Sequence, residues 1–304
     1  MNSEIQPIPN RMWEQRSAIL AFFRLLRPKQ WSKNALVFSA LLFSFNLVGI
    51  EKIYVTVAGF AIFCAVSSCV YILNDFADRE ADRNHPVKRH RPLASGAVSP
   101  AFALVACGVI LGASLFASYS MNARFGALVT AYFLMNVLYS YKLKHIVIID
   151  IMVIALGFVL RAIGGGLLID VPITPWFLLC IMLLALFLAI GKRRHEIVLS
   201  QSAPAGVAHR KVLAFYTLPL LDQMTNMMTS AIILSYCLFT FTSDQTEYMM
   251  LTIPFVIYGM FRYLYLIHVE KKGGAPDELL FEDKHILLTV VGYVITSLIV
   301  MYAL

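Results

Sequence analysis

The sequence predicts an all-α polytopic membrane protein of about nine transmembrane helices, with its N-terminus inside and its C-terminus outside. Composition is the first observation behind that reading. The 304 residues are 59% hydrophobic and only 14% charged, with a mean hydropathy of +0.73, far from the balance of a soluble domain. The second is a series of nine apolar segments, and the third is the way Lys and Arg sort between the connections that join them.

In chain order, residues 1–33 are polar and basic, and Ile19–Arg27 within them reads as an interfacial amphipathic helix rather than a cleavable signal. Apolar segments follow at 34–50, 52–73, 99–120, 122–141, 146–168, 173–191, 213–242, 246–268 and 284–303. Each is near the ~20 residues that cross ~30 Å of hydrocarbon. With the N-terminus in the cytoplasm, the inner segments 1–33, 74–98, 141–145, 192–211 and 269–285 carry 21 of the 25 Lys and Arg. Lys52 and Arg124 fall outside, and Arg161 and Arg262 within spans. Much of the +7 net charge is therefore topogenic and requires no nucleic-acid partner. Cys64, Cys69, Cys107, Cys180 and Cys237 all sit inside spans, at spacings that match no metal site.

No hydrophilic block is large enough for a separate soluble domain, so residues 1–304 read as one transmembrane domain. Its chemistry has to be built from span ends and loops. The outer connections near 51, 121, 170 and 245 are short, whereas the inner loops 74–98, 192–211 and 269–283 are rich in ionisable groups. The active site is expected on the cytoplasmic side.

The most informative stretch is Asn74-Asp75-Phe76-Ala77-Asp78-Arg79-Glu80-Ala81-Asp82, directly after an apolar span. At about 100° per residue, Asn74, Asp78, Asp82 and Asp75 fall at about 0°, 40°, 80° and 100° on a helix. Three carboxylates on one face repel one another by roughly 0.2–0.5 kcal/mol per pair, so a cation should offset them. Mg²⁺ suits, because it takes one or two protein carboxylates and completes its octahedron with water and substrate phosphate oxygens.

The same loop then turns basic, through Arg83, Lys88, Arg89 and Arg91, placing guanidiniums for phosphate oxygens beside carboxylates for a metal, as a diphosphate leaving group requires. Cations recur at Lys142, Lys144 and His145 and at Lys192-Arg193-Arg194-His195-Glu196. Asp150, Gly157 and Arg161 share a helix face, with Arg161 about 16 Å along from Asp150. An arginine at that depth faces a polar interior or a partner, a structural pair with Asp222 being one solution. Asn136, Tyr139 and Tyr141 are weaker site candidates, and the stretch Gly273–Glu278 with Glu282-Asp283 either covers a site or caps the last span.

The NDxxDxxxD pattern of Asn74, Asp75, Asp78 and Asp82 closely resembles the first aspartate-rich motif of the UbiA superfamily of intramembrane prenyltransferases. That resemblance covers essentially the whole chain and implies nine helices around a central cavity, with Mg²⁺ on two aspartate-rich motifs binding a diphosphate. The second motif, a DxxD-type sequence after the sixth span, is absent, and Lys192–Glu196 stands in its place. Exchanging acid for base suits a substrate with more phosphate groups and fewer metal ions, as in the decaprenyl-phosphate phosphoribosyltransferase branch. Arg27–Asn34, Asp82–Gly96, Tyr139-Ser140 with Leu143-Lys144-His145, Gly157–Arg161, and Lys192-Arg193 with Glu196 are similar to that branch.

The resemblance implies transfer of 5-phosphoribose from phosphoribosyl diphosphate to a polyprenyl phosphate at a bacterial plasma membrane, a step in cell-wall arabinan precursor synthesis. In that reading Asp75, Asp78 and Asp82, with Asn74, are catalytic and hold Mg²⁺, while Arg83, Lys88, Arg89, Arg91, Lys192, Arg193 and Glu196 bind the donor. Lys29, Lys33, Lys142 and Lys144 guide the lipid phosphate, and Tyr139 and Arg161 complete the candidates. A phosphate monoester is already largely deprotonated at neutral pH and needs no general base, so His85, His90 and His195 read as solvated loop residues. The alternatives are a prenyltransferase acting on an aromatic acceptor such as 4-hydroxybenzoate, and a non-catalytic lipid-phosphate binder or transporter. A homo-oligomer is left open.

Overall fold

Helices α1 (Ile50–Ala77), α3 (Pro100–Met121), α5 (Ile149–Ile169), α6 (Pro175–Ser202), α7 (Leu218–Thr242), α8 (Ile253–His268) and α9 (Lys284–Tyr302) dominate the computed structural model, which describes residues 19–42, 49–84, 88–202, 211–242, 247–270 and 282–302. Between them lie a five-residue α2 (Arg79–Arg83) and α4 (Ala123–Tyr141). Among the described residues every regular element is helical, and seven helices are long and apolar enough to cross a membrane. The protein is a multi-pass membrane protein.

Two of the nine expected spans fall outside those seven. The segment at 34–50 begins as 3₁₀ helix, Pro28–Phe38, passes into a short turn of α-helix, Ser39–Leu42, and then leaves the described residues. The segment at 122–141 is the helix α4, whose Arg124, Asn136, Ser140 and three tyrosines dilute its hydropathy. The helices also overrun the expected boundaries. Residues 192–202, expected as loop, continue α6, where Lys, Arg and Glu are good helix formers and Arg193 pairs with Glu196 one turn on. At 28 residues each, α1 and α6 extend about 42 Å, so their polar ends project beyond a ~30 Å hydrocarbon core.

The chain divides into two compact units, one from Met1–Ala35 with Phe60–Val137 and the other from Leu36–Gly59 with Leu138–Leu304. In the first, Leu25, Cys69, Ile72, Leu93, Val98, Ala103 and Cys107 form a buried cluster, and Phe63 packs edge-on against Phe125 and Tyr132. Polar ties fix the N-terminal stretch to α1. Trp31 Nε1 donates to Ser68 Oγ at 3.1 Å, Ser68 Oγ donates to the Leu26 carbonyl at 2.8 Å, and Asn34 Nδ2 donates to Ser67 Oγ at 3.2 Å. Residues 19–25 are helical and expose Ile19, Leu20 and Phe23, the apolar face that an interfacial helix needs. Ser99 caps α3 through the Phe102 N–H, and Asn122 ends it while accepting the Arg124 and Phe125 N–H groups that open α4.

In the second unit, Leu183, Phe187, Ile232, Met260, Tyr263 and Leu266 knit α6, α7 and α8 together, and Ile151, Ile190, Val212, Tyr216 and Leu221 join α5 to α6 and α7. Close approach at α5 depends on glycine. A Cβ on Gly165 would collide with the Val37 carbonyl oxygen, a backbone atom that cannot swing aside. The α8–α9 pair is stapled by Arg262, whose Nη2 donates to Asp283 Oδ2 at 2.6 Å, while Asp283 Oδ1 caps α9 through the Ile286 N–H at 2.9 Å. Asp283 thus caps the last span; Gly273–Glu278 lie outside the described residues.

Gly165→Ala is expected to destabilise the detergent-solubilised protein by about 1–3 kcal/mol through overpacking. Gly108→Ala, where a Cβ would meet nothing within 4 Å, should leave the melting temperature unchanged or slightly raised. Donation from Arg262 holds the Asp283 carboxyl at about 2, below its ordinary 3.8. A depressed carboxyl stabilises the fold above its unfolded value and loses that contribution as pH falls through the folded one. Asp283→Asn should therefore melt below wild type at pH 7, with the gap closing between about pH 4 and pH 2.

Candidate functional site

In the first unit, the acidic motif ends one helix and starts another. The expected continuous face is interrupted at Asp78, where α1 stops and the backbone reaches φ −88°, ψ 2° before α2 begins. The i to i−4 ladder nevertheless persists, with Asp78 N–H donating to the Asn74 carbonyl at 2.9 Å and Asp82 N–H to the Asp78 carbonyl at 2.8 Å. Asp75 and Asp82 therefore still lie on one side, both only 3% exposed, whereas Asn74 and Asp78 are half-buried.

The cation that offsets this face is, in the structure, an arginine. Arg91 Nη1 donates to Asp75 Oδ1 at 3.0 Å and to Asp82 Oδ2 at 2.7 Å, so a single guanidinium bridges carboxylates seven residues apart. Arg27 Nη2 adds a second donor to Asp75 Oδ1 at 2.5 Å, with its guanidinium stacked 4.8 Å from the Tyr71 ring centroid. Arg27 itself holds a left-handed φ of 54°, an unusual conformation for a non-glycine residue that the ties at Leu26 and Trp31 sustain. Sequence reasoning missed Arg27 as a site residue; its place in the Arg27–Asn34 stretch was the available signal.

The donor set fits a hard cation. Asp75 and Asp82 converge on one positive charge, and Mg²⁺ asks for one or two protein carboxylates. Among the described residues no cluster of three or more His, Cys, Asp or Glu forms a fuller cage, and Asp78 does not join the pair. Arg79 and Arg83 donate to the Leu93 and Ala94 carbonyls and so fold the following loop back on α2. Arg89 and His90 are exposed, Lys88 is half-buried, Lys33 Nζ donates to Gln30 Oε1, and Lys29 is exposed. His85 lies outside the described residues.

In the second unit, Arg193 is the largest of the fully buried side chains among the described residues, 1% exposed. Its Nε donates to Asp150 Oδ2 at 2.7 Å and its Nη1 to Glu196 Oε2 at 2.9 Å. Asp150, fully buried, also accepts the Tyr216 hydroxyl at 2.7 Å, and that hydroxyl accepts the Ile148 N–H at 2.8 Å. Burial, followed by donation to Asp150, raises the Tyr216 phenol above its ordinary value, so it stays protonated as this arrangement requires. Tyr216 sits in an apolar stretch and carried no signal in the sequence. Arg194 Nε donates to Asp222 Oδ1 at 2.6 Å, so Asp222 serves Arg194 in place of the partnership with Arg161 offered from sequence. Arg161 is buried, its guanidinium 5.2 Å from the Phe158 ring centroid. Lys142 and Tyr141 are exposed, and Tyr139, Lys144, Lys192 and His195 half-buried, as is Asn136 of the first unit.

Residues 34–281 match the UbiA prenyltransferase family. The chain belongs to that family. It is 32% identical to the decaprenyl-phosphate phosphoribosyltransferase of Mycolicibacterium smegmatis, across 97% of this chain and 95% of that protein. Against the protein of the same name from Corynebacterium glutamicum it is 33% identical, across 92% of this chain and 86% of the other. Its fold is similar to that of a UbiA homologue from Archaeoglobus fulgidus, solved bound to DMAPP and Mg²⁺. That TM-score is 0.70 at 19% identity, over 93% of this chain and 99% of the other.

Within this UbiA family member, Asp150 and Tyr216 are expected to differ sharply in what their removal costs. Asp150→Ala removes the fully buried partner of Arg193, leaving it the part-exposed Glu196, and should cost about 3–5 kcal/mol, whereas Tyr216→Phe loses one hydroxyl and should cost about 1–3 kcal/mol. Thermal unfolding of the two purified variants checks the order.

Proposed function

We propose that this protein transfers 5-phosphoribose from phosphoribosyl diphosphate to a polyprenyl phosphate and releases diphosphate. The observation that carries the reading is 32–33% identity, over nine-tenths of the chain, to proteins named for decaprenyl-phosphate phosphoribosyl transfer. The convergent carboxylates and guanidiniums at Asp75, Asp82, Arg27 and Arg91 support it chemically, because they suit a metal-bound diphosphate.

Asp75 and Asp82, with Asp78 and Asn74 beside them, would hold Mg²⁺, which would there supply positive charge against that building on the diphosphate as the sugar C1–O bond breaks. Arg91 and Arg27 turn their remaining N–H groups to the diphosphate oxygens, assisted by Arg83, Lys88 and Arg89 at the edge. Lys192 and Glu196 belong to the donor's phosphate and sugar contacts, and Lys29, Lys33, Lys142 and Lys144, with Tyr139, to the approach of the lipid phosphate. Arg193 acts by orienting Asp150 and Glu196, because its buried guanidinium is committed to carboxylates. Arg161 serves the interior of the bundle.

The acceptor arrives as an anion, so attack on C1 needs no side-chain base. Direct displacement inverts the anomeric centre. The chemistry takes place at the cytoplasmic face of a bacterial plasma membrane, with nine crossings and the N-terminus inside, an arrangement supported by the inward bias of Lys and Arg.

Purified protein given Mg²⁺ and phosphoribosyl diphosphate should release diphosphate only when polyprenyl phosphate is added. Release that ignores the lipid, together with turnover of a prenyl diphosphate on an aromatic acid, would overturn the assignment. The isosteric Asp75→Asn is expected to lower kcat by roughly 10²–10³-fold with an unchanged circular dichroism spectrum, and full activity would remove the metal role.

A further inference from the structure

Asp75 and Asp82 share a single nitrogen. Arg91 Nη1 stands 3.0 Å from Asp75 Oδ1 and 2.7 Å from Asp82 Oδ2, which puts a positive charge between the two carboxylates, where an ion bound by both would sit. A Mg–O bond is only about 2.0–2.1 Å long, so an ion held by both oxygens takes the place of that nitrogen and repels its charge. Guanidinium and metal are therefore alternatives.

The surroundings decide which group gives way. The Asp75 and Asp82 side chains are 2% and 5% exposed and that of Arg91 27%, so the guanidinium is the accessible member of the three. Arg27, the second donor to Asp75 Oδ1, is stacked on Tyr71 and has its backbone held at φ 54°. Arg91 instead lies on a loop fastened by other groups. Arg79 Nε and Arg83 Nε donate to the Leu93 and Ala94 carbonyls at 3.3 Å each, Leu93 is buried among Leu25, Ile72 and Ala103, and the Ser95 N–H donates to the Arg91 carbonyl at 2.9 Å. The Arg91 side chain can turn away while its backbone stays.

We infer that Arg91 is an exchangeable counter-ion: it neutralises Asp75 and Asp82 until a divalent metal takes its place, and then passes to the diphosphate that arrives with that metal. The inference rests on the metal-bound diphosphate reading above, and every residue it uses belongs to the first unit. A guanidinium that leaves two carboxylates needs other anionic acceptors, and arginine pairs with phosphate oxygens as it does with carboxylates. Metal alone must break the pairing without offering Arg91 a new partner, so it binds weakly. Metal and diphosphate together complete the exchange, and each strengthens the binding of the other by the same factor.

The test measures binding of Mn²⁺, which shares the preference of Mg²⁺ for oxygen ligands, to full-length protein in zwitterionic nanodiscs, counting the binding that Asp75→Asn removes. Without diphosphate, Arg91→Gln should bind Mn²⁺ about 10–100-fold more tightly than wild type, because no internal cation has to be displaced. With saturating inorganic diphosphate that advantage should vanish or reverse, since the variant lacks a guanidinium for the phosphate oxygens. Arg91→Lys keeps the charge but not the planar fork and should fall between the two; it decides the matter where Arg91→Gln does not fold. Mn²⁺ binding that is unchanged or weaker in the variants, as loss of a residue that merely orients the carboxylates would give, overturns the exchange and leaves the metal reading intact. An advantage that persists with diphosphate overturns the transfer of Arg91 to the diphosphate. Wild-type protein that takes up no Mn²⁺ at Asp75, with diphosphate or without, overturns both the exchange and the metal reading.

Discussion

A charge withdrawn from water must meet its opposite, and in this protein that constraint organises both clusters of ionisable residues. Asp75 and Asp82 are nearly inaccessible, and each is answered by Arg91. Arg193 is buried more completely still and is answered by Asp150 and Glu196. Taking any one of these ions out of water costs several kcal/mol, which only a close, hydrogen-bonded partner offsets. The pairs therefore fix geometry as much as they contribute energy. Arg91 draws the loop after α2 back onto the end of α1, and Asp150 ties the start of α5 to the end of α6.

Helix length places these pairs. Residues at the overlong ends of α1 and α6 reach past the hydrocarbon, where carboxylates and guanidiniums are affordable and substrates with phosphate groups are soluble. The body of each helix stays apolar and packs by shape, through contacts such as Gly165 under the Val37 carbonyl and Phe187 against Tyr263 at 5.0 Å. Similarity to an archaeal homologue at a TM-score of 0.70 with only 19% identity has the same explanation. Packing of small and apolar residues preserves a fold through wide sequence change, while the polar ends decide the chemistry.

Much of this was legible in the chain, for reasons that differ from residue to residue. Hydropathy marks the seven long helices directly, but it gives no sign of the 3₁₀ stretch that opens the segment at 34–50, nor that α6 continues to Ser202. The spacing of Asp75 and Asp82 put them on one face, because helical periodicity is local. Their bridging by Arg91 was not readable, since nothing local says which of Lys88, Arg89 and Arg91 turns inward. Nor was the role of Tyr216, 66 residues from Asp150, whose sequence neighbours are mostly apolar. Arg27 lay within a recognisable stretch, yet its left-handed backbone is imposed by ties to Leu26 and Trp31 that only the fold creates.

The basic run at 192–194 shows how a charge count misleads when its partners are distant in sequence. Read alone, three consecutive cations suggest a strongly electropositive patch for phosphate groups. In the structure Arg193 is neutralised by Asp150, 43 residues earlier, and Arg194 by Asp222, 28 residues later, with His268 Nδ1 at 3.3 Å. Two of the three guanidinium or ammonium charges thus serve the bundle first. The exchange of an acidic motif for this run does not simply reverse the local field; it replaces a set of carboxylates with a buried scaffold of ion pairs. What such a scaffold supplies is rigidity, because each buried charge is held by directional hydrogen bonds that tie the end of α6 to the start of α5 and fix Glu196 against Arg193, where a solvated point charge would be free to move.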